Sequence, residues 1–270
     1  MPEPEPERPG PFKERNGSTV LAPDQKEEIR KHIKDLLSDD YTVRAASINE
    51  LGKYGQAAAE ALVEALLKKQ DHPHALANFS DALAEIGKPS LNVILHAFGH
   101  ILEVKRPQDV YLLESFVDLL GVLRDRRAVA PLLDQLAKLN RAASGSADRQ
   151  LQQCSETAKI RIHRLLGDLG EKGGVEDLLA MLGDGRKRVR DGLVEALTRV
   201  GDRRALVPLL RLYDIEEHVS CSGAQFIKEA IREIARREHV TSEDRMFKDL
   251  TAEEKSSLDR VLPKAKNGKH

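Results

Sequence analysis

The chain has 270 residues, 32% of them charged, yet 43 Lys and Arg offset 44 Asp and Glu to leave a net charge of −1. Phosphate contacts demand a clear positive excess, so this balance argues against a dedicated nucleic-acid binder. No apolar run approaches the roughly 20 residues that cross a bilayer, and with no Trp, four Tyr and six Phe any core must be built from Leu, Ala, Val and Ile.

Residues 1–24 open PEPEPERPGP, a composition too polar to offset chain entropy by burial, and are expected to form a disordered, solvated arm. The start offers neither the basic residues nor the apolar stretch of a secretory leader. Cys154 and Cys221 match no metal or redox spacing, so a reducing cytoplasm is the expected compartment.

From residue 25 onward the chain repeats itself. Apolar runs end at turns near Gly55, Gly87, Arg124, Gly170, Gly201 and Ala235, a base period of about 31 to 34 residues with insertions in two copies. One unit recurs almost verbatim, DRRAVAPLL from Asp125 to Leu133 and DRRALVPLL from Asp202 to Leu210. Within a copy the apolar residues fall at helical spacing, as in Val175, Leu178, Leu179 and Leu182, then Val189, Leu193, Ala196, Leu197 and Val200. Each copy is therefore expected to be a helix pair that shares one continuous core with its neighbours. If Asp125 and Asp202 cap helices, Pro131 and Pro208 fall after the first turn and should kink or delay them.

The irregular copies stand out. In the third, Val104 to Asp109 separates the two helices. In the fourth, Arg141 to Ser146 precedes Leu151, Cys154, Ala158, Ile162, Leu165, Leu166 and Leu169, spaced three or four apart, which predicts one long second helix from about Ala147 to Leu169. That helix outruns its neighbours by roughly two turns, which leaves Leu151 without a partner in the stack: either it is an apolar anchor covered by a binding protein or a second copy of the chain, or the Arg141 to Ser146 segment folds over it. The sixth copy has an excursion around Glu216 to Gly223, and Thr251 to Glu254 forms a capping box ahead of a short closing helix. Residues 263–270, with Lys264, Lys266 and Lys269, read as a basic disordered tail.

Asp40 with Val43–Arg44, Leu51–Gly52 and Gly55 in the first copy, and Val189–Arg190, Ala196–Leu197, Gly201–Asp202 and Pro208–Leu209–Leu210 in the fifth, resemble the HEAT repeat. The likeness is to the short bacterial type also found in phycobilisome lyases, and it covers roughly residues 25 to 240. The valine and arginine give way to Ala75 and Leu76, Leu112 and Leu113, and Ala158 and Lys159 in copies two to four, which interrupts any arginine ladder. The resemblance implies an all-α fold, an α-solenoid of about six stacked helix pairs over 25–262 with a C-terminal closing helix. It further implies that aspartate and arginine tie adjacent copies together, that second helices line the concave side, and that the protein binds rather than catalyses.

If the second helices bury the positions equivalent to Leu193, Ala196, Leu197 and Val200, the position of Glu195 points toward the groove or its rim. Through the copies it is Asn49, Asp81, Asp118, Arg164, Glu195 and Glu229. This weakly acidic set favours a basic segment of a protein partner and repels phosphates, with Arg164 fixing orientation and Leu151 as the anchor. The plainer alternative is a solvated helix face. Arg126, Arg127, Arg203, Arg204, Arg236 and Arg237 make the turn edge basic.

Chemistry finds little support. His96, His100 and Glu103 could share one helix face, but it lies opposite the apolar stripe and the sequence shows no surrounding groups to orient metal ligands there. No glycine-rich phosphate loop, nucleophile motif or His–Glu dipeptide occurs. No catalytic residue, metal or cofactor is therefore expected, nor contact with a membrane. The expectation is a non-enzymatic cytoplasmic scaffold or adaptor that binds a protein. The alternatives are a chromophore (bilin) lyase-type subunit and, behind it, a nucleic-acid-binding helical-repeat protein.

Overall fold

The repeated helical spacing becomes repeated helices. A computed structural model describes residues 22–68, 73–100, 104, 106–145, 148–182 and 187–262, and among these there is no strand. The helices are α1 (Pro23–Asp35), α2 (Tyr41–Lys53), α3 (Gln56–Lys68), α4 (Pro73–Ile86), α5 (Leu91–His100), α6 (Pro107–Leu123) and α7 (Val129–Gly145). They continue as α8 (Arg149–Asp168), α9 (Val175–Leu182), α10 (Lys187–Val200), α11 (Leu206–Glu217), α12 (Cys221–Arg237) and α13 (Ala252–Val261). Most of the 1–24 arm and all of the 263–270 tail lie outside the described residues.

Packing follows the pairing. Second helices touch in series, α2 on α4, α4 on α6, α6 on α8, α8 on α10 and α10 on α12. Among first helices α1 meets α3, α3 meets α5 and α5 meets α7; α9, only eight residues long, packs chiefly on α10 and on the short turn that opens α11. α13 closes the series against α11 and α12, its Thr251–Glu254 capping box formed as the sequence predicts.

The two DRR units fold alike. Asp125 accepts from the Arg127 backbone at 2.9 Å and Asp202 from Arg204 at 2.9 Å, each opening a single 3₁₀ turn. The α-helix starts only afterwards, at Val129 and Leu206, so each helix is delayed as expected and not kinked. Pro131 and Pro208 then sit in the first turn, where no backbone N–H has a helical acceptor.

Two expectations about turns and core require correction. Ala235 is not the sixth turn: it is buried inside α12, and its carbonyl accepts from Val240 at 2.9 Å. The left-handed turn residue is His239, φ 53°, just as Arg124, φ 48°, takes the place of glycine after α6. Nor do the described buried residues fall into one cluster. One apolar cluster runs from Ile29 to Leu169 and a second from Ile160 to Val261, and α8 contributes to both.

At this seam lies His163 of α8, 0% exposed, with neither ring nitrogen hydrogen-bonded. Gly174, φ 93°, passes so close that a Cβ there would lie 2.1 Å from the imidazole, so only glycine admits the ring. Asp177 Oδ2 stands 3.8 Å from Nε2 and also accepts from Asn140 at 3.5 Å. Burial lowers the His163 pKa to about 4; Asp177 opposes this and Lys159, itself lowered by burial, adds to it.

The imidazole is therefore neutral when folded, while the unfolded chain takes up a proton near pH 6.5. Stability from this group is intact above about pH 6.5 and is lost as pH falls toward about 4, by about 3 kcal/mol at most. Urea denaturation across that window should show His163→Leu losing less stability than wild type; parallel curves would contradict a buried neutral histidine.

Candidate functional site

A groove of about 430 Å³ opens on the series of second helices. Its walls come from three successive copies: Ser80 and Asp81 on α4, Tyr111, Glu114 and Asp118 on α6, and Arg161 on α8. On α6 the positions 111, 114, 115 and 118 follow the i, i+3, i+4, i+7 stripe, so one helix face supplies an aromatic ring, a hydroxyl and two carboxylates.

Arg161 spans the groove. Its Nη1 donates to both Asp118 oxygens at 3.0 and 2.9 Å, and its Nε stands 3.5 Å from Glu114. Burial pushes the Glu114 carboxyl above its ordinary value; Arg161 opposes this and Asp118 adds to it. The Cys154 thiol of α8, as charge neighbour and hydrogen-bond partner, pushes the Tyr111 phenol up, with burial and Glu114 adding to the shift. Asp81 makes no ion pair or hydrogen bond among the described residues, and the Ser80 hydroxyl beside it is buried without a partner.

The expected partner-binding residues divide. Asp81 and Asp118 meet in this groove. Arg164 and Glu195 pair with each other at 2.8 Å across α8 and α10, and Arg199 joins Glu195 at 3.1 Å while also pairing with Asp168. Glu229 lines a second opening on α10 and α12 with Phe226 and Glu233, and accepts from Arg232 at 3.0 Å. Asn49 is exposed on α2 and lines neither opening. The face is therefore not a bare acidic strip. It alternates carboxylates with arginines from neighbouring copies.

Leu151 differs most from expectation. It is 4% exposed and belongs to the first apolar cluster, so no anchor projects there. The insertion is absorbed by lengthening: α7 continues through Arg141 to Gly145, giving the long α8 a long partner in the same copy. In the sixth copy Ile215 and Val219 are exposed at 56% and 72%, so its excursion does leave apolar surface. Part of the third copy's connection, residues 101–103 and 105, lies outside the described residues, and Glu103 of the histidine pattern lies there.

The basic edge is largely committed. Arg127 folds onto Asp125 and reaches Asn92 of the preceding copy at 2.9 Å, and Arg204 likewise folds onto Asp202 and reaches Glu176 at 2.7 Å. Arg236 pairs with Glu233, and Arg237 caps the carbonyls of Thr198 and Gly201. Arg44 stays local, donating to Ser38 and Asp39 carbonyls, so the inter-copy ties do not run through it. Sequence reasoning passed over Tyr111, Glu114, Arg161 and Phe226; the i, i+3, i+7 stripe on α6 was the available signal for the first two.

No described helix is long and apolar enough to cross a membrane, and no cluster of three or more potential metal ligands occurs among the described residues. Compared with protein-family models and with curated proteins, the chain matches none.

Arg161 is half-exposed, so its ion pairs contribute little to folding, about 1 kcal/mol or less. Replacing it matters more to the site. In Arg161→Ala the one cation that lowers Glu114 among the described residues is gone, and the Glu114 carboxyl is expected to titrate higher still. Carboxyl-carbon NMR titration of the two proteins checks this, and an unshifted or lowered midpoint would show that Arg161 does not face Glu114.

Proposed function

We propose that the chain is an α-solenoid of HEAT-like repeats that works as a scaffold or adaptor, seating a basic segment of a protein partner on its second-helix face. The observation that carries this reading is the groove between α4, α6 and α8, in which Asp81, Glu114 and Asp118 face one cation, Arg161. Carboxylates in a cleft with low-dielectric walls concentrate positive charge and repel phosphate, which favours a protein over a nucleic acid as occupant. The mechanism is presentation of a fixed surface: six helix pairs hold the carboxylates at set spacing, so that charge steers the encounter and fixes register. The groove's volume lies within the roughly 300–1,000 Å³ typical of ligand clefts.

The test uses the full chain and a fluorescein-labelled peptide bearing several lysines and arginines among alanines, titrated by anisotropy at two salt concentrations. Wild type should bind, more weakly at the higher salt. Joint replacement of Asp81 and Asp118 by lysine should weaken binding at least tenfold, whereas Glu27→Lys, on exposed α1 outside the groove, should leave it within about twofold. Absence of binding, or equal loss in both variants, would refute the assignment of the groove.

A further inference from the structure

We infer that the α4–α6–α8 groove selects arginine over lysine, taking one guanidinium between the Tyr111 ring and the Asp81 carboxylate; this rests on the reading of the groove as the seat of a basic segment. Three features of the lining point to a planar cation.

First, Tyr111 is 43% exposed, unlike the buried Phe116 on the same helix, and it lines the groove on the same α6 face as Glu114 and Asp118. An aromatic surface beside carboxylates suits a guanidinium, which is weakly hydrated and stacks, better than an ammonium, which is compact and strongly hydrated.

Second, the lining already accommodates a guanidinium. Arg161 places one nitrogen against both oxygens of Asp118 and a second, separate nitrogen toward Glu114, so one planar cation already serves two carboxyl groups of the lining. Three carboxyl groups against this one cation leave room for a second before the site is neutral.

Third, the acceptors left over lie on the opposite wall. Asp81 has no ion pair among the described residues, and the neighbouring Ser80 hydroxyl is buried with no partner. A guanidinium carries five N–H donors and no acceptor, enough to serve both Asp81 oxygens while its plane rests on Tyr111.

The experiment compares two peptides of equal length and charge on the full-length protein by isothermal titration calorimetry, one with three arginines and its twin with three lysines at the same positions. Wild type should bind the arginine peptide about tenfold more tightly. Tyr111→Leu should bring the arginine peptide down to the lysine value and leave the lysine peptide within about twofold, Tyr111→Phe should keep the preference, and Asp81→Asn should weaken both peptides. Thermal melts confirm that each variant is folded; Tyr111→Phe carries the test should Tyr111→Leu fail to fold, because loss of preference on removing the hydroxyl alone would contradict stacking. Equal affinity of wild type for the two peptides overturns arginine selection while leaving the groove as a basic-segment site, and absence of binding by either overturns both.

Discussion

The fold depends on α8 being packed on two sides at once. α6 covers one flank and α10 the other, and its residues are shared between two apolar clusters, Ala158, Ile162, Leu165 and Leu166 in one and Ile160 in the other. At twenty residues it is the longest helix described, which lets a single element serve two cores without surrendering either. The cost is concentrated at His163. The ring fits only because Gly174 has no Cβ, and it stays neutral because burial disfavours its charged form. The two halves of the protein meet at its least tolerant point.

Elsewhere the copies are joined by a different device. Donors from one copy reach back to the free helix-end carbonyls of the copy before. Asn78 donates to Leu36 at 2.8 Å, Gln135 to Phe98 at 2.8 Å, and Arg237 to Thr198 at 2.7 Å. The last carbonyls of any helix lack partners within it, so a following repeat that supplies donors settles their hydrogen bonding and its own register together. Gly201 shows how close this junction is: a Cβ there would lie 3.2 Å from the Ile234 side chain of α12. Apolar stacking alone is non-directional, and these bonds give it a direction.

How much of this was legible in the sequence depended on range. Local rules read well: the capping box at Thr251, the long α8, and the proline-delayed helices after Asp125 and Asp202 all follow from residues within a few positions of each other. The sixth turn is not legible in the sequence because His239 takes a left-handed conformation usually marked by glycine, while the small residue Ala235 lies four positions earlier inside the helix. Leu151 was misjudged because its partner helix lengthened with it, and periodicity in one helix says nothing about the length of another. The pairs that shape the groove face, Arg161 with Asp118 and Arg164 with Glu195, join residues on different helices, and only the register between copies decides them.

That register turns the groove face from a charge pattern into a competition. Glu195, Glu229 and Asp118 each already face an arginine of this chain, so an incoming cation gains only the difference between its contacts and those it displaces. Half-exposed pairs of this kind are weak enough to exchange, because solvent screens the attraction that must be surrendered. A uniformly acidic surface would hold any basic chain; one that is mostly self-paired rewards only a chain whose cations arrive at the positions left open. Asp81 is such a position, and because Tyr111 lines the same groove, the proposed discrimination would depend there on the shape of the cation as well as on its charge.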